Sequence, residues 1–444
     1  MNISDSERLS SFLEDRDFLL SEKIESADLV IFNTCGIRQA AENRVYSFVN
    51  NLRKINNDSK IIITGCLANS SDVQKRLKTK VDLFCEIKNF EKEFEKLILC
   101  HPERNDFDNS QRNEVEGSEP RFFDFEIPSS GRTLSAQNDR DYLNIIPKHT
   151  NNFQALVPIM TGCNNFCSYC VVPYARGREV SREANEIVLE IKNLIKNGYK
   201  QITLLGQNVN SYKDDKINFT KLLKKINSIP GKFWITFISS HPKDMGDELI
   251  ETITKCKKVC EWIHLPVQAG NDEILKRMNR KYTQKHYLDR IKKIKSAFKK
   301  HKPACLFSIS SDIIVGFPGE TKKQFADSEI VMQKARFDMV FFGQFSPRPE
   351  TVAWKMKDNV SNSEKERREN VLNEILKKTA LANNKKYIRT VQEVLIEKEK
   401  NGTYFGKTRT QKNVKIIFPK KLEVGTFAKV KIKKANVWNL EGTI

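Results

Sequence analysis

Long apolar runs are missing from this chain. Its strongest apolar stretches, Lys60–Ala68 and Leu306–Phe317, are too short and too interrupted to cross a bilayer, which takes about 20 apolar residues. The opening MNISDSERLS has neither the basic segment nor the apolar core of a secretory signal. A cytoplasmic protein with no membrane partner is therefore expected. Glycine (18) and proline (14) are sparse in 444 residues, and 39% of the chain is hydrophobic. That excludes collagen-like, disulfide-scaffold and wholly disordered classes and leaves room for two or three cores. Acidic charge is also short: 56 Asp and Glu face 76 Lys and Arg, a net +20. Such an excess suggests a polyanionic partner, nucleic acid or acidic membrane, and says nothing about fold. It is uneven, because residues 385–444 hold fifteen Lys/Arg and five acids, 15 − 5 = +10, half of the whole. Ten cysteines are present; in a reducing compartment they point to metal binding or catalysis rather than disulfides.

Residues 1–100 alternate helix and strand patterns. Ser4-Asp-Ser-Glu7 reads as a capping box opening a helix, Ala27–Thr34 and Lys60–Thr64 as apolar strands, Arg38–Ile55 as a helix, and VDLF as a short strand. This is an α/β unit on a parallel sheet. Residues 101–150, with ten acids against six Lys/Arg, read as a polar linker. Residues 151–384 repeat strand-then-helix six times and end in a connecting helix that Ser363-Glu-Lys-Glu366 is expected to cap. The strands are Ala155–Thr161, Ile202–Leu205, Phe233–Ser239, Trp262–Val267, Leu306–Val315 and Met339–Phe345, with helices such as Ala184–Lys196 between them. An open or partial (β/α)6 barrel is the expected fold, and a doubly wound sheet is its rival. The barrel is favoured because nearly every strand ends in polar or special residues, at Gly162-Cys163, Gly206-Gln207-Asn208, Ser239-Ser240-His241, Gln268, Gly316 to Glu320 and Ser346 to Arg348. Beyond Tyr387, the segments VQEVLIE, GTYFGKT, VKIIF and TFAKVKIKKA read as strands of a small β-barrel.

The sharpest motif is Cys163-Asn-Asn-Phe-Cys167-Ser-Tyr-Cys170. Three cysteines at this spacing on one loop can wrap a single face of an iron–sulfur cube, which thiolates hold. Three ligands leave one iron open, and the amino and carboxylate groups of S-adenosylmethionine can chelate it. A zinc site would want a fourth Cys or His nearby, and the loop holds none.

This loop resembles the radical S-adenosylmethionine superfamily. The wider set IFNTCGIRQAAENRVYSF, ITGCLA, MTGCNNFCSYCVVPYARGREVSR, LLGQNVNSY, HLPVQAGNDEILKRMNRKYT, SSDIIVGFPGET and FSPRPET is similar throughout to its methylthiotransferase family. NTCGIR, GREVSR and LLGQNVNSY are most similar to the branch acting on N6-(dimethylallyl)adenosine of tRNA. Relatives acting on threonylcarbamoyladenosine or on a ribosomal-protein aspartate, which remain the alternative, carry different residues at the second strand's end. The resemblance implies an N-terminal methylthiotransferase domain (1–100), a partial radical-SAM barrel (151–384) and a C-terminal TRAM domain (385–444). It implies two 4Fe–4S clusters, S-adenosylmethionine, tRNA as partner, and an electron donor such as flavodoxin or ferredoxin; the chain is expected to be a monomer. Cys163, Cys167 and Cys170 would hold the catalytic cluster, and Gln207, Asn208 and Asp312 would contact S-adenosylmethionine. A loop cap at Gln207 and Asn208 and a strand cap at Asp312 are the other readings. His264, which with Gln268 flanks the fourth strand, reads equally as a core histidine or a ligand contact. Arg348, Arg176 and Arg178 suit phosphate or carboxylate, a solvated surface arginine being the more frequent outcome.

The family's auxiliary cluster takes three cysteines, and Cys35 and Cys66 match two of them. The third stands in a G-C-Q-M-N segment, of which Met1-Asn2 looks like the remainder; a natural start upstream is the expectation. Cys85 is more readily a core thiol than a substitute ligand. Cys100, Cys256, Cys260 and Cys305 read as ordinary, Cys256 and Cys260 lying four apart on a helix. Gly316-Phe-Pro-Gly-Glu320 has no complete phosphate fingerprint and is expected to shape a turn beside adenine. In the terminal barrel Lys407, Arg409, Lys412 and Lys415, with Tyr404, Phe405, Phe418 and Trp438 interleaved, suit RNA; the other reading is a solvated basic surface over an aromatic core. A non-catalytic RNA-binding iron–sulfur protein is the alternative of another class.

Overall fold

The computed structural model describes residues 1–36, 39–99, 142–143, 145–418 and 420–444. Cys100 and most of the expected linker lie outside them. The chain divides into two compact units, Met1–Thr150 with Val171–Val180, and Asn151–Cys170 with Ser181–Ile444.

In the first unit, strands β1 (Leu29–Thr34), β2 (Lys60–Gly65) and β3 (Leu83–Phe84) run parallel in that order. The IIIT run makes β2 the centre. Ile62 packs with Leu9, Phe12, Phe90 and Phe94 on one face, while Ile61 and Ile63 pack with Val45, Val49, Leu52 and Val73 on the other, the period-two alternation of a strand covered on both sides. Helices α1 (Asn2–Glu14), α2 (Gln39–Ile55), α3 (Ser71–Leu77) and α4 (Phe90–Leu99) supply those layers. The expected capping box is not one. Helix α1 starts at Asn2, so Ser4 and Glu7 lie within it. Ser4 Oγ accepts from Arg8 Nη1 at 2.6 Å, and the Glu7 carboxylate accepts from the Thr150 N–H at 2.9 Å.

In the second unit, β4 (Gln154–Pro158), β5 (Gln201–Leu205) and β6 (Trp234–Phe237) form one parallel sheet; β7 (Trp262–His264), β8 (Ser308–Val315) and β9 (Met339–Gln344) form another. A parallel bridge between Ile235 and Val259 joins them, giving six strands in chain order, an open (β/α)6 barrel. Helices α5 (Ala184–Lys196), α6 (Phe219–Ser228), α7 (Asp247–Lys255), α8 (Asp272–Arg277), α9 (Gln284–His301) and α10 (Lys322–Ala335) cover its outside. Two expectations shift. Helix α7 ends at Lys255 and Cys256 is extended, so Cys256 and Cys260 do not share a helix. Helix α11 (Asn362–Lys385) is capped two residues early, Ser361 accepting from the Glu364 N–H.

Residues 391–443 close a five-stranded barrel: β10 (Val391–Lys400), β11 (Thr403–Thr408), β12 (Asn413–Ile417), β13 (Phe427–Ala435) and β14 (Asn439–Thr443). The last strand escapes sequence reading because NLEGT has little β-propensity. Its place comes from pairing with β12 on one side and β13 on the other. Among the described residues no helix is long and apolar enough to cross a membrane.

Candidate active site

Strand β4 leads through Gly162, in the left-handed region at φ 76°, into the three-cysteine loop. Phe166 also sits at positive φ (47°), a strained turn of the sort found where backbone wraps a ligand. The Cys170 N–H donates to the Cys167 carbonyl at 2.9 Å. The segment after α8 clamps the loop from below. Ser168 N–H donates to the Met278 carbonyl (3.0 Å) and Ser168 Oγ to the Arg277 carbonyl (2.8 Å). Asn279 Nδ2 donates to the Phe166 carbonyl (2.8 Å). Two sulfurs have donors aimed at them: Asn165 Nδ2 lies 3.5 Å from Cys163 Sγ, and Arg280 Nη1 lies 3.3 Å from Cys167 Sγ. Burial holds the Tyr169 hydroxyl, between Cys167 and Cys170, well above its usual range. Among the described residues no three His, Cys, Asp or Glu gather as ligands of one metal ion. A cube asks for something else, three thiolates on three separate irons, and the donor set of three thiols, two of them with N–H groups beside their sulfurs, fits it.

The rim beside the loop fits S-adenosylmethionine. Beyond β5, Asn208 donates through Nδ2 to Asp244 (2.8 Å). Its Oδ1, together with Gln207 Oε1, both polar side-chain atoms of Asn210 and Ser240 Oγ, is buried without a hydrogen-bond partner. Buried polar atoms are normally satisfied, and an orphaned group of them suits a polar ligand. Ser239 and Gln268, at the ends of β6 and β7, hold positive φ angles of 67° and 70°. His241 is buried and pushed down to about 2, by burial first and then by the Arg280 charge, so it stays neutral.

His264 is satisfied within the wall: Nδ1 pairs with Ser310 Oγ (2.9 Å) and Nε2 lies 3.4 Å from Asp312 Oδ2. Phe341 stands edge-on to that imidazole and half exposed. The Gly316–Glu320 turn is tied to α11, Glu320 Oε2 accepting from the Gly316 N–H and from Arg368 Nη1. Arg348 is buried. Arg280, Asn210 and Phe341 are not singled out by the sequence, and Ser240 only as a polar strand end. Only RMNRKYT held a signal, the arginine two residues before a tyrosine.

In the first unit Thr34 and Gly65 are register partners, so Cys35 and Cys66 leave adjacent strand ends side by side. A Cβ on Gly36 would stand 3.2 Å from that of Cys66. Arg176 is buried here with Nη2 2.6 Å from Asp5 Oδ2, and, against the cost of burial, Asp5 and the Cys66 sulfur favour its charge. Cys85 packs among Leu9, Ile62 and Phe90, its thiol pushed up to about 12 by burial, a core residue and not a ligand in waiting. Cys256 and Cys260 are buried, Cys305 exposed.

The expected RNA set divides. Arg409 turns inward, Nε 2.7 Å from Glu261 Oε2, with Nη2 donating to the Val259 carbonyl. Lys412 pairs with Asp338 at 2.8 Å. Both hold the small barrel to the large one and are not free for phosphate. Lys407 lies 3.6 Å from Glu397 and Lys415 is half-buried. Tyr404 is in the barrel core, whereas Trp438 is exposed.

Residues 157–329 match the radical SAM superfamily, 1–86 the uncharacterized protein family UPF0004, and 385–444 the TRAM domain. A tRNA-2-methylthio-N(6)-dimethylallyladenosine synthase of Clostridium botulinum (strain Langeland) is 40% identical over 451 residues, covering 100% of this chain and 94% of the relative. Proteins of the same name from Thermoanaerobacter pseudethanolicus and Finegoldia magna are each 38% identical, covering all of this chain and 90% and 92% of theirs. Among solved structures, the radical S-adenosylmethionine methyltransferase TsrM of Kitasatospora setae, with cobalamin and a [4Fe-4S] cluster bound, superposes with a TM-score of 0.54 at 13% identity. That match covers 79% of this chain and 70% of the other, a likeness of fold alone. With relatives this similar along its whole length, the chain belongs to the radical S-adenosylmethionine methylthiotransferase family.

Proposed function

We propose that this chain methylthiolates carbon 2 of N6-(dimethylallyl)adenosine at position 37 of tRNA, giving 2-methylthio-N6-(dimethylallyl)adenosine. One observation carries the reading: a three-thiol loop at the strand ends of an open barrel, beside a rim of orphaned buried amide atoms. A bound 4Fe–4S cluster with S-adenosylmethionine supplies the 5′-deoxyadenosyl radical that takes hydrogen from the base. Cys163, Cys167 and Cys170 would hold that cluster by their thiolates. Gln207 Oε1 and Asn208 Oδ1 would accept from the cofactor's ammonium group, and Asp312, 3.4 Å from His264 Nε2, adds a carboxylate on the wall that β7 and β8 form. Phe341 offers a face on which an adenine can stack. The open barrel mouth admits a base splayed from the anticodon loop.

In this reading Cys35 and Cys66 would be ligands of an auxiliary cluster that supplies the sulfur. The N-terminal domain spans 1–100, a linker 101–150, the radical-SAM barrel 151–384 and the RNA-binding domain 385–444. The chain works in the cytoplasm as a monomer, with a flavodoxin or ferredoxin as electron donor. Mass spectrometry of tRNA nucleosides tests the activity: a deletion strain lacks the methylthio nucleoside, wild type restores it, and Cys163→Ala does not. Restoration by Cys163→Ala, or loss of methylthio-threonylcarbamoyladenosine instead, overturns it. Iron counting tests the second cluster, with about eight irons per chain expected for two cubes and about four for one.

A further inference from the structure

Arg280 is a cation with nowhere conventional to put its charge. It is buried, and among the described residues no carboxylate lies within ion-pair distance of it. Its hydrogen bonds go to the Tyr282 hydroxyl (Nε, 2.9 Å), the Pro266 carbonyl (Nη2, 3.3 Å) and Cys167 Sγ (Nη1, 3.3 Å). Its position is not left to chance. Asn271 caps α8 by accepting from the Ile274 N–H, Asn279 turns through positive φ (55°), and the Arg280 N–H donates to the Leu275 carbonyl at 2.8 Å. The same short segment clamps the cysteine loop, so guanidinium and sulfur are held by one set of hydrogen bonds. A buried charge is costly unless an opposite charge compensates it. Among the described residues its nearest group that would become anionic on loading a cluster is the Cys167 thiol, 3.3 Å from Nη1.

We propose that Arg280 is a positioning residue that tunes the loop cluster, its guanidinium donating to the Cys167 thiolate and offsetting the negative charge that arrives on reduction. The inference deepens the proposed function and rests on its cluster. The electron balance is simple: one electron leaves an external donor, dithionite in the test, and enters the cluster, and no proton or covalent bond is exchanged. A fixed cation and a hydrogen bond at a ligand sulfur both favour the reduced state, since net charge and hydrogen bonds to sulfur set such potentials. The neutral His241 close by adds no competing charge.

The test is an electron-paramagnetic-resonance redox titration of the reconstituted full chain in a Cys35→Ser, Cys66→Ser background, so that the loop cluster alone is read. Arg280→Gln is expected to lower the reduced-to-oxidised ratio at a fixed poise at least tenfold, about 59 mV for a one-electron couple, while iron content stays at the parent level. An unchanged ratio with full iron overturns the proposal. If Arg280→Gln takes up no cluster, Arg280→Lys decides: with the charge kept, it is expected to bind iron and lie within threefold of the parent ratio. Failure of the lysine variant to bind iron, or a ratio as low as glutamine's, overturns the role of charge. A parent chain that takes up no iron overturns the cluster reading itself, an outcome distinct from both.

Discussion

His241 shows how strongly one buried environment bends a residue's chemistry. Buried near Arg280, it is held neutral, its affinity for a proton pushed down to about 2. In the unfolded chain the imidazole titrates near 6.5. Below that pH the unfolded state therefore binds a proton that the fold refuses, and stability falls as pH drops. Replacing it by His241→Gln is expected to make the loss of stability between about pH 6.5 and 5 shallower, by up to about 1.4 kcal/mol per pH unit, read from urea unfolding at a series of pH values. The thiols differ in the same way. Burial pushes Cys85 and Cys260 up to about 12, while Cys305 is exposed. Brief iodoacetamide treatment of the native protein followed by peptide mass spectrometry is expected to modify Cys305 and spare Cys85, Cys256 and Cys260, because the thiolate is the nucleophile. The three-cysteine loop is legible as a candidate cluster site because three cysteines at that spacing, at a strand end, can wrap one face of a cube. Arg280 was not, because its meaning depends on meeting Cys167, 113 residues away in sequence.

Between elements, the join of the two barrels is built from a buried ionic cluster and an aromatic pair. Glu261 accepts from Arg409 at 2.7 Å and from Lys302 at 2.6 Å. Burial pushes its carboxyl up, but those two cations hold it below the usual range. Trp234 and Phe427 pack at a tilt, with ring centroids 4.8 Å apart. Glu261→Gln leaves two cations at the join without their anion, and a loss of about 3 kcal/mol is expected, measured by chemical denaturation. Arg409→Ala is expected to act mainly on this stability, and tRNA affinity is not expected to fall in proportion. Most elements were legible. Helix α5 falls on the residues its apolar spacing marks, and the six barrel strands lie within a few residues of theirs. The helix starts went astray at Ser4 and Ser363 because Ser-x-x-Glu recurs inside helices. At the second of these, Ser361, extended at ψ 152°, is where the backbone turns into the helix.

For the molecule as a whole, charge placement decides how RNA is met. Along β13, Lys429, Lys431 and Lys433 are exposed while Val430 and Ile432 fill the core, so one strand presents a basic ridge near the exposed Trp438. Lys429→Glu, Lys431→Glu and Lys433→Glu together are expected to weaken tRNA binding. They are also expected to reduce the slope of log affinity against log salt by about 0.7–0.9 for each phosphate that the protein no longer neutralises, read by filter binding from low to moderate salt. An unchanged slope would move the RNA surface elsewhere.

The sequence by itself determined the chemistry class and the plan of the chain. Cysteine spacing, strand–helix alternation and the basic end are local patterns, and local patterns survive without coordinates. Tertiary structure decided which members of each pattern are free to act. It placed Cys35 beside Cys66 by strand register, paired Arg409 and Lys412 with Glu261 and Asp338, left amide oxygens orphaned at the rim, and set Arg280 against the Cys167 sulfur. Each of these is a meeting of residues far apart in the chain. Burial and the need to pair every buried charge govern such meetings, and neither can be read until the fold has brought the partners together.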